Sequence, residues 1–187
     1  MYYTGIGSRT TPMEVRALME QIGEALGRQG LILRSGGANG ADTAFERGAL
    51  QAGAQVQIFL PWRNFNGHTS PYDTPPANAY GLMATVHPKW TGLTTGAKHL
   101  HARNAQQVLG PELRIQTLTS LIICWTPDGA DNERVQVSAD TGGTGTAIRL
   151  AARYSIPVVN MKHAGWEMRL NQWLTEHNFT ALEWLYD

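Results

Sequence analysis

The sequence predicts an α/β fold, a three-layer sandwich around a mostly parallel central sheet of five or more strands. Three observations point there. Short apolar runs alternate with segments of helical spacing, glycine-rich stretches stand just past the ends of several runs, and 187 residues are enough for one sizeable core. Alternation of this kind closes through right-handed crossovers into a parallel sheet. One domain over 1–187 is expected, with an insertion at about 62–97.

The first strand is expected over 2–5. A helix follows with Thr11 at its N-cap, Pro12 at the first helical position and Glu14 two residues on, which is a capping box with proline where it is tolerated. Val15, Leu18, Met19, Ile22 and Leu26 give that helix one apolar stripe, and Gly30 stops it. A second strand spans 31–34. The next helix, about 41–52, carries Ala41, Ala44, Gly48, Ala49 and Ala52 on one side, and such small residues imply close approach to the sheet. The third strand covers 56–60.

Residues 62–95 are rich in Pro, Gly, Asn and Thr. A structureless loop of that length is unusual, so a helix is expected within it around 76–86, in a segment acting as a lid or an oligomer contact. A helix over 97–109 carries His99, His101, Arg103 and Asn104. The run 118–125 is apolar throughout, as a central parallel strand should be. A polar loop is expected over 126–140, then a helix with Ile148, Leu150, Ala151 and Ala152. A fifth strand covers 156–160, and a last helix has Trp166, Leu170, Trp173 and Leu174 as its apolar face.

Composition narrows the function classes. Fifteen basic and fifteen acidic residues cancel, which weighs against broad attraction to nucleic acid. The basic residues concentrate only at Lys98, His99, His101, Arg103 and Arg114. A single cysteine, Cys124, sits in an apolar run, which excludes an intrachain disulfide and a cysteine metal cluster. His99 and His101 are two apart and do not share a helix face, so no metal site is expected. No long apolar span and no export signal are read, so no membrane partner is expected and a cytoplasmic location fits.

The candidate site rests on three glycine loops. The first is Gly5, Ile6, Gly7, Ser8 and Arg9. The second is Ser35, Gly36, Gly37, Ala38, Asn39, Gly40, Ala41 and Asp42. The third is Thr141, Gly142, Gly143, Thr144, Gly145 and Thr146. In an open parallel sheet such loops crowd one edge, and ligands bind where the strand order reverses. If the first and fourth strands are neighbours, that point lies between the first and third loops. Loop N–H groups and the positive ends of helices suit a ligand carrying phosphate. Neither stretch is a Walker loop, which disfavours ATPase chemistry.

These three loops, with His101, Ala102, Arg103 and Asn104, resemble in order the SLOG superfamily, and more closely its single-domain members like DNA processing protein A that bacteriophages often carry. The resemblance implies a Rossmann-like fold and a nucleotide-type ligand. Among such proteins are phosphoribohydrolases, single-stranded DNA binders and sensors of NAD-derived nucleotides. It also implies a homo-oligomer, dimer or tetramer, and, for a phage-encoded chain, a host-cytoplasmic factor that captures a defence signal. The hydrolase members carry Gly-Gly-x-Gly-Thr-x-x-Glu. Here Arg149 stands where the catalytic glutamate would be.

The site residues expected to bind ligand or phosphate are therefore Gly7, Ser8, Arg9, Ser35, Gly36, Gly37, Asn39, Gly40, Asp42, Arg103, Asn104, Trp125, Gly142, Gly143, Thr144, Gly145 and Thr146. Arg9 and Arg103 offer planar forks of donors for phosphate. Trp62 and Trp125 end strands at the ligand edge, where either stacking on a base or core packing fits. Asp42 and Glu46 lie four apart on one helix face. As an enzyme the chain would use them as acid, base or nucleophile. In the alternative, Asp42 caps its helix and Glu46 pairs with Arg47 or Arg9. No cofactor is expected. The leading expectation is binding of a phosphorylated nucleoside derivative, with N-glycosidase or phosphoribohydrolase action and single-stranded DNA binding as the alternatives.

Overall fold

The computed structural model describes residues 1–131, 138 and 141–186. Five strands form one parallel sheet: β1 (Tyr2–Gly5), β2 (Ile32–Ser35), β3 (Val56–Ile58), β4 (Leu121–Cys124) and β5 (Val158–Asn160), in the order β3-β2-β1-β4-β5. Register pairs Tyr3 with Leu33 on one side and with Leu121 on the other. Six α-helices complete the layers: α1 (Met13–Arg28), α2 (Ala41–Gln51), α3 (Ala77–Ala84), α4 (Thr95–Leu109), α5 (Thr144–Arg153) and α6 (Trp166–Glu176).

Strand side chains alternate between two cores, as the pleat requires. Tyr3, Leu33, Leu121, Ile123 and Val159 pack with α1, α2 and α6. Ile122, Cys124 and Val158 face the opposite side and pack with α3, α4 and α5. On that second face β1 and β2 place polar groups. The Thr4 hydroxyl donates to the Gln107 carbonyl (2.7 Å), and the wholly buried Arg34 donates to the Gln57 side chain (2.8 Å) and the Thr117 carbonyl (2.5 Å).

Local expectations fared differently. A helix does lie within the irregular segment, as α3, and the same segment adds Tyr72 beside Phe59 at the β3 edge. The capping box does not form. Helix α1 begins at Met13 with Pro12 as its cap residue and no side-chain cap bond. The Thr11 hydroxyl instead donates to the Ser8 carbonyl (2.6 Å), so it closes the first glycine loop rather than the helix. The small residues of α2 serve a helix–helix contact more than a helix–sheet one. A Cβ on Gly48 would stand 1.8 Å from the Glu20 carbonyl oxygen of α1, and one on Gly23 2.6 Å from that of Phe45. Of the polar loop expected over 126–140, residues 132–137 and 139–140 lie outside the described residues.

No described helix is long and apolar enough to cross a membrane. Among the described residues no group of three or more His, Cys, Asp or Glu is placed to hold a metal ion.

Candidate functional site

Because β1 and β4 are neighbours, the strand order reverses between the loop that leaves β1 and the loop that enters α5. A cleft of about 360 Å³ opens there. Its floor is the first loop, Ile6 to Arg9, with Ala38 and Asp42. One wall is the α4 face formed by Leu100, His101, Arg103, Asn104 and Gln107, and the other is Thr141 to Thr144. A second lobe of about 410 Å³ adjoins it, lined by His87, Lys89, Ser138, Thr146 and Arg149 among others. His101, Gly142 and Gly143 line both lobes, so they mark the junction.

The first loop is fitted to the end of β4. A Cβ on Gly7 would stand 2.8 Å from that of Ala41 and 2.9 Å from the Trp125 carbonyl oxygen, so only glycine passes there. The Ser8 N–H donates to that carbonyl (3.0 Å). Trp125 itself continues the alternation of Leu121 and Ile123, which turns its ring into the α1–α2–α6 core. It is buried and does not line the cleft, and Lys162 Nζ lies 5.7 Å from the ring centroid. Its part in the site is its backbone, and base stacking by this ring is not available. Trp62 is exposed and packs edge-on against Phe65.

The second loop is turned inward on the chain's own charges. Asp42 Oδ2 accepts the N–H groups of Gly36 (3.1 Å) and Ala38 (3.4 Å) and draws on that of Gly7. Arg103 Nη1 lies 3.7 Å from the same oxygen and donates to the Gly36 carbonyl. A Cβ on Gly36 would collide with that guanidinium. The anion for which this loop is built is therefore Asp42, and the glycine makes room for an arginine rather than for a ligand phosphate. Burial pushes the Asp42 carboxyl up to about 6, against the pull of Arg103 and the three N–H donors. Burial also lowers the Arg103 guanidinium, and Asp42 opposes that.

The remaining second-loop residues stand apart from the cleft. The Ser35 hydroxyl donates to the Gly5 carbonyl (2.7 Å), tying two loops together. Gly37 carries Asn66 on its carbonyl (2.9 Å), and Asn39 and Gly40 face a shallow groove beside α1. Glu46 does not join Asp42. It meets His68 Nε2 at 2.8 Å, while Arg47 pairs with Glu20. The expected pairing of Glu46 with Arg47 or Arg9 is thus replaced by one with the irregular segment, whose fold the sequence did not disclose.

The third loop is held from two sides. Asn104 Nδ2 donates to the Gly143 carbonyl (2.7 Å) and to Thr146 Oγ1 (3.0 Å), and His101 Nδ1 lies 3.0 Å from that same hydroxyl. From below, Thr141 and Ser138 donate to Asp128. Burial alone would raise Asp128, but bonds from Thr141, Ser138 and Thr126 hold it down at about 2. Gly145 and Thr146 are buried in the first turn of α5, whereas Gly142 and Gly143 are exposed at the junction. The His101 ring lies beside that of His87, tilted by 58° with centroids 4.6 Å apart. Burial, then His87 and Arg103, lower it to about 4, which leaves a neutral imidazole at the junction.

The architecture matches solved structures. DNA processing protein A from Helicobacter pylori, described for its single-stranded DNA binding mode, superposes with a TM-score of 0.51 at 17% identity over 96% of this chain and 74% of that one. The chain has the fold of DNA processing protein A. The Streptococcus pneumoniae DNA processing protein A gives the same score at 18% identity, over 96% of this chain and 56% of that one. At such identities the likeness to DNA processing protein A is one of fold, and it is the fold the motif resemblance implied. No family model and no curated protein matches the sequence.

Among the lining residues not expected from the sequence are Gln107, the His87 and Lys89 pair, and His101 as the junction residue. Gln107 was findable. Residues 100, 103, 104 and 107 form one helical stripe, and Arg103 with Asn104 already marked that face. His87 and Lys89 come from the irregular segment, where no periodicity points to the site. The basic concentration expected at Lys98, His99, His101, Arg103 and Arg114 is not one surface patch, because Arg103 is buried against Asp42 and Arg114, beyond the end of α4, pairs with Glu112 (2.6 Å).

Proposed function

We propose that the chain binds a phosphorylated nucleoside derivative, a nucleotide or an NAD-derived signal, across the two lobes, with phosphate at Gly142, Gly143 and the N-terminus of α5. The observation that carries this reading is the junction itself. Two exposed glycines and a helix N-terminus open into a cleft at the strand-order reversal, where open α/β sheets take ligands. Arg9 stands at the first lobe, and Lys89 and Arg149 at the second.

Capture of the intact molecule fits better than hydrolysis. Among the described residues lining the lobes Asp42 is the only carboxylate, and it is engaged by three N–H groups and Arg103. Sequestration of a nucleotide signal, the phage counter-defence role that the motif resemblance suggests, would need no more than this. The test is to incubate the protein with a panel of nucleotides, NAD-derived and cyclic ones included, and to read filtrate and heat-released fraction by mass spectrometry. A compound depleted and recovered intact supports capture. Recovery as base plus ribose phosphate overturns it in favour of a glycosidase.

A second reading, single-stranded DNA binding, is favoured by one observation, the fold shared with a protein described for that activity. Binding of an oligonucleotide that steepens as salt falls, with no small-molecule depletion, would establish it in place of the first. We also propose a homo-oligomer, supported by the exposed Met168, Trp184 and Tyr186 of the C-terminal region. A monomeric mass by light scattering would contradict that.

A further inference from the structure

We infer that Gln107 reads the base of the bound ligand, and that the first lobe is an adenine subsite. This inference rests on the nucleotide reading above. Gln107 lies on the α4 stripe that walls the lobe, and only 1% of its surface is exposed. Its backbone carbonyl takes the Thr4 hydroxyl, while its side-chain carboxamide has no hydrogen-bond partner among the described residues. Buried amides are nearly always paired, so one left open on the wall of a cleft marks a place that a ligand completes.

The carboxamide is placed with its nitrogen beside the second loop. A Cβ on Gly36 would stand 2.4 Å from its Nε2, so the side chain lies directly against the second-loop backbone, beside Arg103. It presents one donor and one acceptor side by side, which matches a base edge where an exocyclic amine adjoins a ring-nitrogen acceptor. Adenine carries such an edge, and glutamine reads it in a bidentate manner. The Asp42 carboxylate of the same lobe is already engaged by the loop N–H groups and Arg103. Phosphate then falls toward the junction glycines, away from the carboxylate.

The experiment compares adenosine 5′-monophosphate with purine riboside 5′-monophosphate, which differs by the amino group alone, and with the guanosine and uridine monophosphates. Titration calorimetry is run on the full chain and on Gln107→Leu. The wild type should prefer the adenine nucleotide on the order of ten- to a hundred-fold over purine riboside monophosphate. Gln107→Leu should bind both alike, with a melting temperature no lower than wild type, since an unpaired buried amide has been replaced by an apolar side chain. Equal wild-type affinities, tighter binding of the guanine or uracil nucleotide, or a preference surviving in Gln107→Leu would overturn the assignment while leaving nucleotide binding intact. A marked fall in melting temperature would also overturn it, because the amide would then have partners within the protein. Failure of every nucleotide to bind would remove the nucleotide reading as well.

Discussion

Asp42 is a buried carboxylate on which the floor of the cleft depends, and its replacement separates two opposed effects. Its Oδ2 accepts N–H groups at 3.1 and 3.4 Å and lies 3.7 Å from the buried Arg103 guanidinium. Against these, burial raises its carboxyl from 3.8 to about 6. That gap corresponds to roughly 3 kcal/mol against ionisation within the fold. A group whose folded value is raised binds more protons folded than unfolded between pH 4 and 6, so its contribution to stability falls as pH rises through that window and is flat above it. Asn cannot titrate. The stability of wild type relative to Asp42→Asn should therefore fall by up to roughly 3 kcal/mol between pH 4 and pH 6 and then level off. Asp42→Ala at pH 7 should lose on the order of 3–5 kcal/mol, because Arg103 then lies buried without its counter-charge. Urea unfolding across that pH range reads both. A wild type that gains on Asp42→Asn as pH rises would mean that Arg103 and the loop N–H groups outweigh burial, and would refute the reasoning.

Three further outcomes are expected. Glu46→Gln should leave nucleotide affinity unchanged and lower stability by about 1 kcal/mol, since Glu46 pairs with the half-buried His68 outside the cleft. A loss of binding seen by calorimetry would place Glu46 in the site. Gly48→Ala should cost about 1–3 kcal/mol in urea unfolding, because its Cβ would sit 1.8 Å from the Glu20 carbonyl and α1 must move. Unchanged stability would mean the two helices are not in close contact. His101, lowered to about 4, should remain neutral by NMR at pH 6, and its contribution to stability should decline as pH falls from 6.5 toward 4. A titration midpoint near 6.5 would show the ring to be solvated.

The sheet and its helices were legible because short apolar runs and 3.6-residue stripes report burial directly. The runs containing Ile32–Ser35 and Leu121–Cys124 and the stripe from Val15 to Leu26 all appear where periodicity places them. What the sequence hid were choices among partners. Thr11 suited an N-cap, yet the helix starts one residue later, with Pro12 in the cap position, and the Thr11 hydroxyl donates to the Ser8 carbonyl. The glycines of the second loop suited phosphate, yet Asp42, six residues past Gly36 along the chain, reaches the same donors with far less loss of entropy than a free anion. Trp125 ended its strand at the right edge, but strand parity sent its ring to the core. The contribution of His87 and Lys89 depends on the path of an irregular segment, and no local pattern encodes that path.

The central claim is that anionic ligand binds at the junction glycines. Gly143 has φ −61° and nothing within 4 Å of a Cβ placed on it, so Gly143→Asp fits the backbone and sets a carboxylate at the N-terminus of α5. Such a charge favours the helix while competing with a ligand phosphate. Calorimetric titration of the nucleotide captured from the panel into wild type and Gly143→Asp, with melting temperatures alongside, is the direct measurement. The account expects an equal or higher melting temperature and loss of binding in the variant. Unchanged affinity in a folded Gly143→Asp protein would contradict it.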